Sequence, residues 1–363
     1  MSELWQTSTD VLVIGGGPAA AWAAIHAREA GAEVTLVDKG YCGTSGATAP
    51  SGTGVWYVAP EETARVNAKA SREALGGHLA DHYWMDRVLD QTYTNMNRLA
   101  VEGKYPFPTD PATGEQLRTG VQGPEYMRRM RAWVKRVGVR ILDHSPALEL
   151  LVDDAGTVRG AAGYQRQLDR DYRIAAGAVV LASGGCAFLA SAVASPVAAA
   201  TIRHGRCRRV VGPVRVRHGS RSARLDLTPV VRGAGRTGLR PSDSPTLDAA
   251  EVVEAAQAEL IPFQKNYLRH GERLRPALDA LDTLWERASN ELGGRTGDDR
   301  IRARQAAAIT AVGRLMYESS LARTETRGMS KRADHPEQDP AQRHHILSGG
   351  LDAVWTETAE VAS

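Results

Sequence analysis

An α/β fold with a helical C-terminal domain is predicted by three observations. An apolar run, Val11 to Ile14, enters a glycine turn and an alanine-rich helix. A second apolar run, Ala178 to Leu181, ends in Ala182-Ser183-Gly184-Gly185. Beyond residue 270, leucine, alanine and tryptophan recur at helical spacing.

Val11, Leu12, Val13 and Ile14 lack polar alternation, the pattern of a parallel strand buried on both faces. Gly15, Gly17 and Ala20 then fit Gly-x-Gly-x-x-Gly/Ala. The first small residue permits a tight turn, the second lets the backbone approach a pyrophosphate, and the third allows close helix-to-strand contact. Ala20 to Ala30 is a good helix that Gly31 stops, and its first-turn N–H groups and dipole would face phosphates. Glu33 to Val37 reads as the second strand. Asp38 stands at its end, about twenty residues beyond Gly17, where a carboxylate accepts the hydroxyls of an adenosine ribose. Strand, turn, helix, strand and acid in register describe a Rossmann-like FAD/NAD(P)-binding domain. An acid at position 38 disfavours a 2′-phosphate, leaving FAD or NAD.

The following stretch, KGYCGTSGATAPSGTG, crowds glycine and hydroxyl residues into a loop that can offer successive N–H groups to an anion. Cys42 reads as a small residue there rather than a redox centre. The three cysteines, Cys42, Cys186 and Cys207, lie far apart with no Cys-x-x-Cys, which excludes a disulfide scaffold, a zinc site or an iron–sulfur cluster of the chain's own. That usage predicts a reduced, cytoplasmic protein. The first strand begins within about ten residues, leaving no room for a signal peptide. No run approaches the ~18 apolar residues of a membrane span. A net charge of +3 over 363 residues is mild and points to no nucleic-acid partner.

Glu61 to Val101 reads as mostly helical, with Trp84, Met85, Val88, Leu89, Met96 and Leu99 as a core stripe interrupted at Thr92. Tyr105 to Gly120 is loop. Gly123 to Val137 is a basic amphipathic helix, with Met127, Met130, Trp133, Val134 and Val137 inward and Arg128, Arg129, Arg131, Lys135 and Arg136 mainly on the solvated face. Val139 to Leu142, Ala147 to Asp153, Val158 to Gln165 and Asp171 to Ile174 are short strands, after which Ala178 to Leu181 returns to the same sheet. Leu274, Leu278, Leu281, Trp285, Ala288 and Leu292 form a helical stripe that Gly293-Gly294 ends. Arg302 to Arg323 is the next helix, with Ile309, Val312, Leu315 and Met316 inward. Arg323, Glu325 and Arg327 read as a charged seam against the N-terminal domain rather than catalysts, and His344-His345 as a polar loop.

With GGGPAA, the KGYCGTSGATAPSG loop, ALELLVD and AVVLASGG in this order, residues 8 to 188 resemble the flavoprotein subunits of succinate dehydrogenase and fumarate reductase. L-Aspartate oxidase and the adenylylsulfate reductase flavoprotein share the resemblance. Val252 to Pro340 is similar to that family's helical C-terminal domain. RTETRGMSKRADHPEQD resembles its Arg-x-Glu-x-Arg-Gly-x-His-x-Arg-x-Asp-x-Pro signature, with Ser330 where His is usual.

The resemblance implies FAD as cofactor. Gly15, Gly17, Pro18, Ala19 and Ala20 would hold the pyrophosphate, and Asp38, with Lys39 and Gly40 beside it, the ribose. Thr44, Ser45, Gly46, Ser51 and Gly52 would meet the phosphates and flavin, the Ala147 backbone the adenine, and Ser183, Gly184 and Gly185 would close over the dinucleotide. Members with covalent flavin carry His directly after the serine. Gly46 follows Ser45 here, so the FAD is expected to be non-covalent.

The resemblance divides the chain into an FAD-binding domain at 1–188, with a helical insertion at about 60–137, and a helical C-terminal domain at 246–363. Between them, at 189–245, an irregular Arg/Gly/Pro-rich segment replaces the family's capping domain. Its stretch from Arg203 to Arg240 has no lysine and one acid, Asp226. A recombined or out-of-frame remnant is preferred to a solvated linker or a basic arm, because arginine without lysine beside Gly, Pro and Ala is what GC-rich codons give out of frame. Alternative frames that encode nothing like a capping domain would refute this. The activity implied is that of an FAD-dependent oxidoreductase moving a hydride between flavin and a small-molecule substrate, carboxylates included. A separate iron–sulfur or other electron-transfer protein would be its partner. The alternative is a catalytically silent flavin-binding or partner-binding remnant. The family's dicarboxylate ligands would fall in the replaced segment, so no catalytic residue is assigned.

Overall fold

The computed structural model describes residues 4–44, 46–184, 228–229 and 245–361. Ser45, Gly185, Cys186, Cys207 and nearly all of the 189–245 segment lie outside the described residues.

Four parallel strands form one half of the main sheet: in spatial order β5 (Arg140–Leu142), β2 (Val34–Val37), β1 (Trp5–Ile14) and β8 (Arg170–Leu181). From β8 the sheet continues antiparallel through β7 (Val158–Gln165), β6 (Ala147–Val152) and the two-residue β9 (Thr228–Pro229). The end of β1 is buried on both faces, as its composition predicts. Leu12 and Ile14 pack with Val37, Tyr172 and Ile174 on one side, whereas Val13 packs on the other against α1 (Pro18–Glu29) and α4 (Gly123–Arg136). The indole Nε1 of Trp22 on α1 donates to the Tyr126 hydroxyl of α4 at 2.9 Å, so a polar atom inside this layer keeps a partner.

Two strand assignments change. β1 starts at Trp5 rather than Val11, and the two runs expected at 171–174 and 178–181 are one strand. Both follow from pairing along the full length of β1 and β8, from Trp5 beside Tyr172 to Ile14 beside Leu181. A long neighbour holds extended the polar and glycine residues that lack strand propensity of their own.

β3 (Gly52–Gly54), ahead of the insertion, pairs with β4 (Gly120–Gln122) inside it, and the insertion also holds helices α2 (Glu62–Leu75) and α3 (His82–Val101). The break expected at Thr92 lies instead at Gly76-Gly77, where Gly77 takes φ +70°. Met85, Leu89, Met96 and Leu99 are buried, but Trp84 and Val88 are 54% and 46% exposed. α3 buries a narrower face than the sequence stripe suggests.

The C-terminal part packs α5 (Ala249–Leu260), α7 (Gly271–Glu291) and α8 (Gly297–Ala322) around the predicted stripe, with the short α6 (Phe263–Asn266) between α5 and α7. Leu274, Leu278, Leu281, Trp285, Ala288 and Leu292 are all buried. α8 begins five residues before the expected Arg302, at a Thr296/Asp299 capping box. Its buried face is an alanine surface with Ile309 and Tyr317, while Val312, Leu315 and Met316 are only half-buried. Strands β10 (Leu268–Arg269) and β11 (Lys331–Arg332) pair in parallel. His344 and His345 belong not to a loop but to β12 (His344–Gly349), which pairs antiparallel with β13 (Trp355–Glu360).

α8 is joined to the sheet by Arg300 to Asp171 at 2.6 Å, by Asp298 to Arg166 at 2.8 Å and by Arg304 to Glu149. At its start a Cβ on Gly297 would overlap the Tyr164 ring. Gly297→Val is therefore expected to destabilise the chain by about 1–3 kcal/mol in urea unfolding. An unchanged midpoint would show that the ring can move aside.

Candidate cofactor site

Three segments end together at the carboxyl edge of the parallel strands: the glycine turn after β1, Asp38 after β2, and Ala182 to Gly184 after β8. Gly15 has φ +124°, and its N–H donates to Val37 O at 2.9 Å. A Cβ on Gly15 would overlap Ala182 O, whose own N–H donates to Ile14 O at 2.8 Å. A Cβ on Gly16 would run into the Asp38 carboxylate. The turn after β1 thus fits between the ends of its two neighbours only because it lacks side chains.

Gly17 differs. It caps the N-terminus of α1, and nothing lies within 4 Å of where its Cβ would be. Pro18 occupies the first turn, where a missing N–H costs nothing. The amides of Ala19 and Ala20 follow it at the positive end of the helix. The result is an unobstructed helix N-terminus carrying partial positive charge, of the kind that takes phosphate.

Asp38 is buried, accepts the Gly40 N–H at 2.8 Å, and is fixed through its backbone by Leu142 and Ser145. The Ser145 contact brings the chain entering β6 at Ala147 alongside it. Lys39 beside it is half-buried, and that burial lowers its ammonium pKa, with Asp38 opposing. Ser183 is half-buried, and Gly184 takes φ +83° with open space where its Cβ would be.

The hydroxyl-rich loop is bound to the glycine turn. Gly43 N–H donates to Gly16 O at 3.2 Å, and a Cβ on Gly46 would lie 3.9 Å from Gly17 Cα. Thr44 is exposed at this junction, whereas Ser51 and Gly52 are exposed farther along, where the loop enters β3. What holds the loop was not legible in the sequence. Arg131, expected on the solvated face of α4, has a side chain only 12% exposed. It donates to Cys42 O at 2.8 Å and to Asp143 at 2.6 and 2.9 Å, and Asp143 in turn accepts the Cys42 N–H at 2.7 Å. Burial would raise the Asp143 carboxyl, but the Arg131 bond and the Cys42 amide outweigh it and leave the pKa lowered. The signal that could have identified this clamp is spatial, since α4 and the end of β5 meet only through the sheet.

Burial, then Asp38, pushes the Cys42 thiol up to about 12, with Arg131 opposing. A thiol held protonated is a poor nucleophile. Cys42 is expected to resist alkylation by iodoacetamide in the folded chain at pH 8 and to react after denaturation. Reaction in the folded chain at the free-thiol rate would contradict this. Because the folded value lies above the ordinary 9.0, this thiol's contribution to stability is constant below pH 9 and declines between 9 and about 12.

Among the described residues no group of His, Cys, Asp and Glu could hold a metal, and no helix is long and apolar enough to cross a membrane.

Residues 10–206 match the family model described as FAD binding domain, and residues 263–356 match that described as fumarate reductase flavoprotein C-term. An L-aspartate oxidase of Rhodospirillum rubrum is 32% identical over 110 residues, 30% of this chain and 34% of the oxidase. A 3-oxo-5-alpha-steroid 4-dehydrogenase of Comamonas testosteroni is 38% identical over 97 residues, 27% of this chain and 18% of that protein. The matched stretches thus span about a third of the oxidase's length and under a fifth of the dehydrogenase's. Among solved structures, FrdA of E. coli quinol fumarate reductase superposes with a TM-score of 0.75 at 15% identity, covering 98% of this chain and 97% of that one. Adenylylsulfate reductase of Archaeoglobus fulgidus gives 0.68 at 14%, covering 100% and 97%. At such identities the likeness is one of fold.

Proposed function

Because this chain belongs to the FAD-binding flavoprotein family of the succinate dehydrogenase and fumarate reductase type, we propose that it is an oxidoreductase holding FAD without a covalent bond. It would move a hydride between the flavin and a small substrate, carboxylates among the candidates. The observation that carries this reading is the convergence of Gly15, Gly17, Asp38 and Ser183-Gly184 at one edge of the sheet, packed so tightly at Gly15 and left so open at Gly17. Close packing brings the segments together. The open space admits a phosphate.

Each residue then has a task. The amides of Ala19 and Ala20, with Gly15, Gly17 and Pro18 shaping the turn, receive the pyrophosphate. Asp38, fixed by Gly40 and Leu142, accepts the ribose hydroxyls. Lys39 lends positive charge beside it. Ala147 would present backbone to the adenine, and Ser183 with Gly184, and Gly185 next to them in sequence, would close over the dinucleotide. Thr44, Gly46, Ser51 and Gly52, with Ser45 among them in sequence, would meet the phosphates and flavin, and Gly46 offers no imidazole for attachment. The bound flavin supplies the two-electron chemistry, and the chain supplies position and charge. An electron-transfer protein, with an iron–sulfur centre or another carrier, would take or deliver the electrons. The working arrangement is an FAD-binding domain at 1–188 joined to a helical domain at 246–363, in the cytoplasm. No observation favours the catalytically silent remnant.

The test is the visible spectrum of the purified chain, followed by denaturation and assay of flavin in the supernatant. Near-stoichiometric FAD released without proteolysis supports the reading. Flavin that stays with the precipitated polypeptide refutes non-covalent binding, and a colourless chain that takes up no added FAD refutes the site. Anaerobic bleaching by a dicarboxylate, or reoxidation by an unsaturated one, would then establish the substrate class, and failure with every such acid would remove carboxylates from it.

A further inference from the structure

A cavity of about 670 Å³ opens between the loop after β2 and helix α4. Pro50, Pro124, Met127 and Ala132 give it apolar walls, and Tyr41 adds an aromatic one. Its rim is cationic: Arg128, Arg131 and Lys135 fall three and four residues apart on one face of α4. The cavity is not the dinucleotide site described above. Among the described residues assigned to the dinucleotide, Thr44 and Gly46 line it, whereas the glycine turn, Asp38, Ala147 and Ser183-Gly184 do not. The loop therefore has two faces. Gly43 and Gly46 turn one toward Gly16 and Gly17, while the other faces α4, where a Cβ on Gly43 would lie 3.3 Å from Met127 O.

The rim's charge is incompletely used. Arg128 is paired with Glu125 at 2.6 Å and Arg131 with Asp143 at 2.6 Å, but Lys135 has no carboxylate partner among the described residues. The Arg131 guanidinium lies 3.7 Å from the centroid of the Tyr41 ring, and its Nε is buried with no hydrogen-bond partner among the described residues. That Nε has no accessible surface and is out of a ligand's reach, so what the cavity offers an anion is the Lys135 ammonium and the positive potential of the Arg131 guanidinium at its wall. The volume lies within the ordinary range of small-molecule sites, roughly 300–1,000 Å³, and mostly apolar walls with a few converging polar groups are the usual chemistry of such sites.

We propose that this cavity is a second ligand site, for a flat apolar molecule bearing one acidic group: an aromatic acid. Its ring system stacks along Tyr41 and Met127, and its carboxylate meets Lys135 and the Arg131 edge. The site does not require the flavin reading to be correct, since it shares only a loop with the dinucleotide site.

Calorimetric titration of the flavin-loaded chain with naphthoate tests this. One naphthoate per chain is expected. Lys135→Gln should weaken it about tenfold, the size of one charge-assisted contact, with flavin content unchanged. Ala132→Phe, which fills the cavity from an exposed helix position, should abolish it. Absence of binding to the unaltered chain overturns the proposal, as does binding that neither variant changes. Binding seen only before FAD is added and lost on loading also overturns it, because the cavity would then be part of the flavin's own site. If the chain holds no FAD at all, the same titration still decides the naphthoate site, so the two readings fail separately.

Discussion

Replacing Glu325 by alanine is expected to destabilise the chain by about 3–5 kcal/mol, the cost of removing one member of a buried ion pair. Glu325 is fully buried and accepts hydrogen bonds from Arg323 at 2.7 Å, from Arg327 at 2.5 and 3.0 Å, and from the Asp339 N–H at 2.7 Å. Arg323 and Arg327 are themselves 7% and 6% exposed. Without the carboxylate two guanidiniums would stay buried with only carbonyl partners, among them Gln342 O and Gly77 O. Urea unfolding measures the loss, and a change below about 1 kcal/mol would mean that the cluster opens to water when Glu325 is removed. Acid should act through the same group. Burial raises the Glu325 carboxyl, but the bonds from Arg327, Asp339 and Arg323 outweigh it, so the folded pKa lies below the ordinary 4.5. Its contribution is therefore present above pH 4.5 and disappears as pH falls through the folded value. Glu325→Gln should be less stable than the unaltered chain at pH 7, and the difference should shrink on acidification below 4.5.

The second large effect is expected at the glycine turn, where two substitutions of equal size should behave differently. Gly15→Ala forces a side chain into φ +124° and into Ala182 O. It should cost about 1–3 kcal/mol of stability and, by parting the strand ends, weaken FAD at least about a hundredfold. Gly17→Ala meets no protein atom within 4 Å, so the chain should fold with normal stability. In the proposed site the added methyl would stand where the phosphate approaches, and FAD should weaken by a similar factor. Flavin titration with parallel unfolding curves separates the two. Normal flavin affinity in Gly17→Ala would remove the helix N-terminus from the site.

This contrast marks what could be read from the sequence. The βαβ unit was legible because each of Gly15, Gly17, Ala20 and Asp38 answers a local steric or chemical demand, and local demands leave fixed spacings. The return of the chain at Ala178 to Leu181 was legible for the same reason. The full extent of β8 was not, since its polar first half is extended by its neighbours rather than by its own residues. Hydrophobic periodicity placed the α7 stripe correctly but overcounted α3, because a stripe says which residues could be buried and not how wide a partner the fold supplies. Trp84 and Val88 are the remainder. The Arg131 clamp on Cys42 and Asp143 was beyond reach, because an arginine on an amphipathic helix is ordinarily solvated and only the packing of α4 against the end of β5 makes this one a tether.

The position of β1 has a consequence for how the chain acquires its structure. One neighbour, β2, follows it closely, with Val11 beside Val34, but the other, β8, is more distant, with Trp5 beside Tyr172. During synthesis β1, α1 and β2 can assemble early as a local unit, but the edge of β1 that will pair with β8 must wait until the whole insertion has emerged. For that interval an apolar strand offers unpaired N–H and C=O groups to any other extended segment. Closure of β8 onto β1 is thus the non-local event that joins the antiparallel strands to the parallel ones, and it also delivers Ala182 to Gly184 to the turn at Gly15. The turn at Gly15 is therefore open on its β8 side until that strand docks.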